Sequence, residues 1–224
     1  MLEVKHLYVS FTKEFFVLND INFELKHGQK MVIVGNKESG RTAMLRTLVG
    51  LETKEKGEIF YKNIPLEKLD FENDVSIGYL PVNTPFLEKK TVKQNIEYVL
   101  KLRSKEASYL EAKINNALIE YGLDYIKNKK VKELGYLDRL KLAIARLSIR
   151  NIDIFLIDDV FEKLSPLERK KIIKSIKDLI KLNNASAIVM TEREEIASAF
   201  GYDKKYLIYG SLSDESNYDL KQVN

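Results

Sequence analysis

The stretch "GNKESGRTA", residues 35–43, decides the fold. It follows the apolar run "MVIVG" and precedes "RTAMLRTLVGL", in which every third or fourth residue is apolar. These neighbours predict a buried strand before the loop and a helix after it. A strand, a glycine-containing loop and a helix in this order direct backbone N–H groups at an anion, as in phosphate-binding loops. The usual pattern, G-x-x-x-x-G-K-[ST], has a lysine where this chain has Arg41.

The runs around this loop predict a mixed α/β chain. Phe15 and Phe16 are expected in a loop between the first two strands, and the chain from about Thr91 to Arg150 is expected to be helical. A further helix begins at Pro166, because proline is favoured at the first helical position. The predicted strands are 4–11, 21–25, 31–35, 57–62, 75–80, 152–157, 187–191 and 205–210.

Composition limits the possible classes of protein. The chain has 224 residues, no cysteine and a net charge of +4, with Lys and Arg scattered along it. Disulfides and thiolate metal sites are therefore excluded, a reducing cytosol is favoured, and no nucleic-acid partner is expected. The N-terminal 20 residues lack the apolar core of a signal peptide, and no run approaches the roughly 18 apolar residues of a membrane helix.

Two carboxylates that could bind a metal follow another apolar run. "IDIFLIDD" ends in Asp158 and Asp159, and the carboxyl end of a buried parallel strand is where such a sheet binds its ligands. A loop hydroxyl such as that of Thr42 can hold Mg²⁺, and Asp158 resembles the Walker B carboxylate that holds this metal; these two residues are the predicted Mg²⁺ ligands.

Six blocks in a fixed order resemble the ATP-binding subunits of ABC transporters over nearly the whole chain. They are "LNDINFELKHGQKMVIVGN", the loop, "GEIFY", "IGYLP", "TVKQNI" and "LGYLDRLKLAIAR". The resemblance implies an ABC-type P-loop NTPase core with a mostly parallel sheet flanked by helices. It also implies an antiparallel β subdomain and an inserted helical subdomain. The expected division of this single domain is a core of about 1–80 and 151–224, with a helical subdomain of about 85–150.

The resemblance also implies a nucleotide site and partners. ATP with Mg²⁺ would be bound by the loop and by an aromatic residue that stacks on adenine. Phe11 is the candidate, with Phe15, Phe16 and an ordinary core role as alternatives. Two chains would close face to face and drive a membrane-spanning partner, so the chain is expected on the cytoplasmic face of the cell membrane. The residues assigned to the nucleotide are Phe11, Gly35, Asn36, Lys37, Glu38, Ser39, Gly40, Arg41 and Thr42.

The positions that do chemistry in this family are altered. At position 41 the planar guanidinium of an arginine stands where the family has the compact ammonium of a lysine. Glu38 replaces a glycine, so an unusual backbone angle is expected there. Asp159 is one methylene shorter than the family's catalytic glutamate, and Glu192 stands at the switch histidine. Val82 stands at the Q-loop glutamine, and Ser165 lies near the D-loop aspartate.

The family signature LSGGQ is also lost. Its place is taken by Leu134, Gly135, Tyr136, Leu137 and Asp138. Asp138 is expected to cap a helix that begins at Arg139 and so to occupy the N–H groups that would otherwise attract phosphate. The sequence therefore predicts a degenerate subunit with weak or no ATP hydrolysis, paired with a more conventional paralogue. Two alternatives remain open: a competent transport ATPase, and a soluble ABC-fold interaction or regulatory module without a transporter.

Overall fold

A computed structural model describes residues 1–12, 15–70, 75–101 and 107–214. They form two compact units. The first contains the described residues of 1–81, of 153–159 and from 180 onward. The second contains those of 82–152 and 160–179, and so includes most of a helix that the sequence analysis assigned to the core.

The first unit contains both sheets. The antiparallel sheet has the order β2-β1-β4-β5, and the larger sheet has the order β10-β9-β3-β8-β7-β6. In the larger sheet β9, β3, β8, β7 and β6 are parallel, and β10 pairs antiparallel with β9. The strands are β1 Leu2–Thr12, β2 Phe15–Leu25, β3 Lys30–Val34, β4 Lys56–Tyr61, β5 Ile64–Pro65, β6 Ile77–Leu80, β7 Ile154–Ile157, β8 Ser186–Thr191, β9 Asp203–Ile208 and β10 Ser211–Ser213.

Six α-helices occur in the described chain. They are α1 Arg41–Leu48, α2 Val92–Lys101, α3 Ala107–Glu120, α4 Tyr136–Ser148, α5 Pro166–Leu182 and α6 Glu194–Phe200. The described parts of α2, α3 and α4 form the second unit together with most of α5, and α1 and α6 belong to the first. No helix among the described residues is long and apolar enough to cross a membrane.

Burial follows the continuous apolar runs of the sequence. β7 and β8 are buried along their whole length, and β3 is buried from Met31 to Val34, as expected of parallel strands covered on both faces. The core of the first unit joins residues of both sheets and of α1, among them Leu7, Leu18, Met31 and Leu45.

Two differences from the sequence analysis concern the strands. Phe15 and Phe16 are the first residues of β2 and do not lie in a loop. β2 is longer than expected because its first residues pair with the C-terminal end of β1, where Thr12 lies opposite Phe15. The short strands β5 and β10 were not expected, since two or three residues are too few to show a period.

Candidate functional site

Three parallel strands end at one edge of the larger sheet. β3, β8 and β7 are neighbours in register, with Val34 opposite Thr191 and Ile157 opposite Val189. Residues 35–40 follow β3, Asp158 and Asp159 follow β7, and Glu192 follows β8. Because the carboxyl ends of adjacent parallel strands lie together, the predicted loop and carboxylates meet at this edge of the first unit.

Asn36 forms the turn of the glycine-containing loop. Its side-chain Oδ1 accepts the Glu38 N–H at 3.1 Å, and its carbonyl accepts the Ser39 hydroxyl at 2.9 Å and the Ser39 N–H at 3.3 Å. Glu38 keeps a negative φ, so the expectation of an unusual backbone angle there was wrong. An asparagine turn of this kind bends the chain without a left-handed residue at that position. Lys37 and Glu38 are exposed.

Both glycines of the loop are required by their protein neighbours. A Cβ on Gly35 would lie 2.8 Å from the Leu207 carbonyl of β9. A Cβ on Gly40, whose φ is +95°, would lie 2.7 Å from Leu18 Cδ2 and 2.8 Å from the Val17 carbonyl of β2. Packing alone therefore accounts for the two glycines, whether or not phosphate approaches the loop.

The N-terminus of α1 supplies the donors for an anion. The first α-type bond of this helix runs from the Met44 N–H to the Gly40 carbonyl at 2.9 Å, so the N–H groups before Met44 have no intrahelical partner. Two cationic side chains lie in or beside this turn, Lys37 in the loop and Arg41 at the first helical position.

The two predicted Mg²⁺ ligands are in contact. Thr42 Oγ1 donates to Asp158 Oδ2 at 2.8 Å, and the Asp159 N–H donates to Asp158 Oδ1 at 3.1 Å. Asp158 is buried, and burial raises the pKa of its carboxyl, while the hydrogen bond from Thr42 and the charge of Arg41 partly offset this effect. A hydroxyl and a carboxylate at this separation are a suitable donor pair for Mg²⁺ bound to phosphate. Among the described residues, no group of three or more acidic or His residues is arranged so that it could hold a metal ion by itself.

One contact at this edge joins two positions that were predicted to be altered. Arg41 Nη1 donates to Asp159 Oδ2 at 2.7 Å, and the two side chains are only 7% and 13% exposed. Asp159 also accepts the Glu192 N–H at 3.0 Å and the Thr191 hydroxyl at 3.3 Å. The two residues that were predicted to stand in the family's lysine and catalytic glutamate positions therefore form one nearly buried ion pair.

Thr191 is a site residue that the sequence analysis missed. It is fully buried at the end of β8, and its hydroxyl also accepts the Arg193 N–H at 3.1 Å. A polar residue closing the apolar run "AIVMT" was the only signal for it. Glu192 contacts Asp159 through its backbone, and its side chain is exposed.

The candidate aromatic residues lie on β1 and β2. Phe16 is half exposed and packs edge-to-face on Tyr8, with ring centroids 5.3 Å apart. The side chains of Phe11 and Phe15 lie outside the described residues, although their backbones belong to β1 and β2.

The signature-like residues belong to the second unit, where α4 begins at Tyr136 and not at Arg139. Asp138 therefore lies inside the first turn and makes no cap; its carboxylate is 3.5 Å from Lys141 Nζ. Tyr136, the first residue of α4, donates its hydroxyl to the Val160 carbonyl at 2.8 Å, and its ring lies under Lys163. In the first turn, the negative charge of Asp138 still interacts favourably with the positive end of the helix dipole.

Two further predicted positions also lie in the second unit. Val82 is partly exposed. Ser165 precedes α5 and forms a capping box with Glu168, since its N–H and its hydroxyl donate to Glu168 Oε2 at 2.8 and 2.6 Å. The contacts of Ser165 are thus those of a helix cap.

Comparison with known proteins identifies the family of this chain. A family model described as "ABC transporter" matches residues 18–162, well over half of the chain. The chain belongs to the ABC transporter family. The match begins in β2 and includes the loop, both aspartates and the signature-like residues.

Curated members of the family resemble the chain at low identity. The molybdate/tungstate import ATP-binding protein WtpC of Pyrococcus horikoshii is 26% identical over 95% of this chain, and the chain spans 61% of that relative's length. The lipoprotein-releasing system ATP-binding protein LolD of Francisella tularensis is 26% identical, with 87% of each chain covered.

Solved structures share the fold. A dimeric ATP-binding cassette in a post-hydrolysis state, bound to ADP and Pi, has a TM-score of 0.83 at 22% identity and covers 95% of this chain and 96% of its own. The cbiO1 protein of Clostridium perfringens, part of the transporter complex cbiONQ, has a TM-score of 0.80 at 18% identity and covers 99% and 92%. The ABC ATPase fold predicted from the sequence is therefore confirmed.

Proposed function

We propose that this chain is an ATP-binding subunit of an ABC transporter assembly and has weak or no ATP hydrolysis of its own. Its partners are a membrane-spanning subunit and a second, more conventional ATP-binding subunit. Its place is the cytoplasmic face of the cell membrane. The family match and the names of the relatives, which are ATP-binding proteins of an import system and of a release system, support this proposal.

The donors at the sheet edge suit a magnesium nucleotide. Lys37 and the N–H groups at the start of α1 would hold phosphate oxygens. Thr42 and Asp158 would hold the metal, which neutralises phosphate charge when bound. Binding would be weakened, because the Arg41 side chain is engaged by a carboxylate of the protein.

The Arg41–Asp159 ion pair carries the proposal of weak hydrolysis. A residue that positions or activates a water must leave an acceptor within hydrogen-bond reach of it. The Asp159 carboxylate instead receives three internal donors, from Arg41, Thr191 and the Glu192 backbone. It also reaches one methylene less far than a glutamate, and a misplacement of about 1 Å can reduce a rate on the order of a hundredfold.

The altered signature supports pairing with a different subunit. In a homodimer both composite sites would combine the altered loop with "LGYLD", in which Tyr136 and Leu137 replace small residues. A paralogue with a standard signature would cap the nucleotide of this chain with its own glycines and serine. We therefore favour a heterodimer in which this chain couples or regulates and the paralogue hydrolyses.

The test is ATP turnover by the purified chain and its Asp159→Asn variant. We expect both to be equally slow, well below the roughly 1 per second of an ordinary enzyme, while fluorescent ATP binds both. A wild-type rate of about 1 per second that is abolished in the variant would establish the competent ATPase instead. Gentle purification that recovers the chain with no membrane protein would favour the soluble interaction module.

A further inference from the structure

The Arg41–Asp159 pair has the properties of a contact that competes with a ligand. Its Nη1–Oδ2 distance is 2.7 Å and both side chains are nearly buried, so solvent and salt screen it little. An arginine binds carboxylates and phosphates with the same planar set of N–H donors. Whatever anion approaches α1 therefore meets a guanidinium that already has an anionic partner.

Asp159 is held in place for this contact from the neighbouring strand. The Glu192 N–H donates to Oδ2, the atom that also receives Arg41, and Thr191 donates to Oδ1. The adjacent Asp158 turns the other way and receives Thr42 and the Asp159 N–H. The two carboxylates thus have separate partners: Asp158 binds the predicted metal-binding hydroxyl of Thr42, and Asp159 binds the guanidinium of Arg41.

We propose that Asp159 competes with nucleotide phosphate for Arg41, because its carboxylate occupies the guanidinium that a phosphate would bind. This inference rests on the proposed function, because it concerns a nucleotide at this loop. A phosphate that bound Arg41 would have to displace Asp159 and leave that negative charge beside its own. Removing the Asp159 charge therefore strengthens nucleotide binding, the opposite of what loss of a binding or supporting residue does.

The experiment measures ADP binding by calorimetry in EDTA. ADP without magnesium is not turned over, so a change in affinity cannot arise from blocked hydrolysis. We expect Asp159→Asn to bind ADP roughly tenfold to a hundredfold tighter than wild type, the range of a hydrogen bond to a charged group. Glu195→Gln is the charge control, since Glu195 is exposed in α6 and pairs with Arg193; we expect a change of about twofold or less.

A double variant tests the idea even where the single variant does not fold. Arg41→Met with Asp159→Asn removes both charges, which a buried site tolerates better than one unpaired charge. If Arg41 is already occupied in the wild type, the double variant binds ADP as the wild type does. A tenfold loss in the double variant would mean that Arg41 holds phosphate in the wild type, and would overturn the inference.

The remaining outcomes separate this inference from the proposed function. Unchanged or weaker ADP binding by folded Asp159→Asn, or an equal gain in Glu195→Gln, overturns the competition and leaves the nucleotide-binding subunit intact. ADP binding by none of the folded proteins overturns the proposed function itself, and the competition with it.

Discussion

Replacing Gly40 with alanine tests whether packing, and not a ligand, requires the second glycine of the loop. Gly40 has a φ of +95°, and a Cβ there would lie 2.7 Å from Leu18 Cδ2 and 2.8 Å from the Val17 carbonyl. The backbone oxygen cannot move without disturbing β2. Gly28 is the matched control, because its φ is also positive at +73° but no atom lies within 4 Å of its added Cβ.

Both substitutions place a Cβ on a left-handed backbone, but only Gly40→Ala also brings that Cβ into close contact with its neighbours. A left-handed backbone costs a residue with a Cβ about 1–2 kcal/mol at either position. Gly40→Ala adds overpacking, which costs about 1–3 kcal/mol. For a protein of this size, 1 kcal/mol shifts the melting temperature by about 2–4 °C. We therefore expect Gly40→Ala to melt roughly 2–12 °C below Gly28→Ala.

Thermal unfolding without nucleotide, followed by circular dichroism, measures this difference. Equal melting temperatures for the two variants would refute the reasoning, because the loop would then accommodate a methyl group freely. The presence of the glycine pattern would in that case need another explanation, such as close approach of phosphate. The expected difference, in contrast, would show that packing against β2 is sufficient to require a glycine at position 40.

Three further predictions concern contacts away from the loop. Ser165→Ala should lower the free energy of unfolding by about 1 kcal/mol in urea titrations, because it removes the capping box with Glu168. Tyr61→Phe should cost about 1 kcal/mol, because the buried Tyr61 hydroxyl donates to Asp153 at 2.8 Å. Burial opposes ionisation of Asp153, but hydrogen bonds from Lys62 and Tyr61 outweigh it and hold the Asp153 pKa below its ordinary value. The ionised Asp153 carboxylate therefore stabilises the folded protein at neutral pH, and this contribution is lost as the pH falls below about 4. The loss of unfolding free energy caused by Asp153→Asn should accordingly become smaller at low pH.

Each of these predictions has an outcome that contradicts it. Ser165→Thr retains a capping hydroxyl, so a loss equal to that of Ser165→Ala would exclude the cap as the cause. If Tyr61→Phe is as stable as the wild type, the hydrogen bond to Asp153 in the folded protein is worth no more than the bond to water that the hydroxyl makes in the unfolded chain. A penalty for Asp153→Asn that is constant between pH 3 and pH 7 would show that ionisation of this carboxyl contributes nothing.

Local pattern determined much of this fold. The strand, glycine loop and helix around residues 35–43 could be read directly, because burial and periodicity act over a few neighbouring residues. The apolar runs that became β7 and β8 were recognisable because parallel strands are buried on both faces. The family followed from the order of six blocks, which is also a property of the chain alone.

The ends of some elements could not be read in this way. Tyr136 is the first residue of α4, and its hydroxyl bonds to Val160, 24 residues later; the local sequence "LGYLD" does not show this contact. β2 begins at Phe15 because β1 offers it a partner. A strand at its end gains its hydrogen bonds from whatever lies beside it, so its length depends on pairing and not on composition.

The sequence alone determined that Arg41 follows the glycine loop and that Asp159 follows the strand β7, and the family resemblance predicted that these residues replace a lysine and a glutamate. Only the tertiary structure decided that these two residues bind each other. They are 118 positions apart, and they meet because β3 and β7 flank β8 and end at the same edge. Buried charges are stable only when paired, so folding joins the two altered positions into one contact.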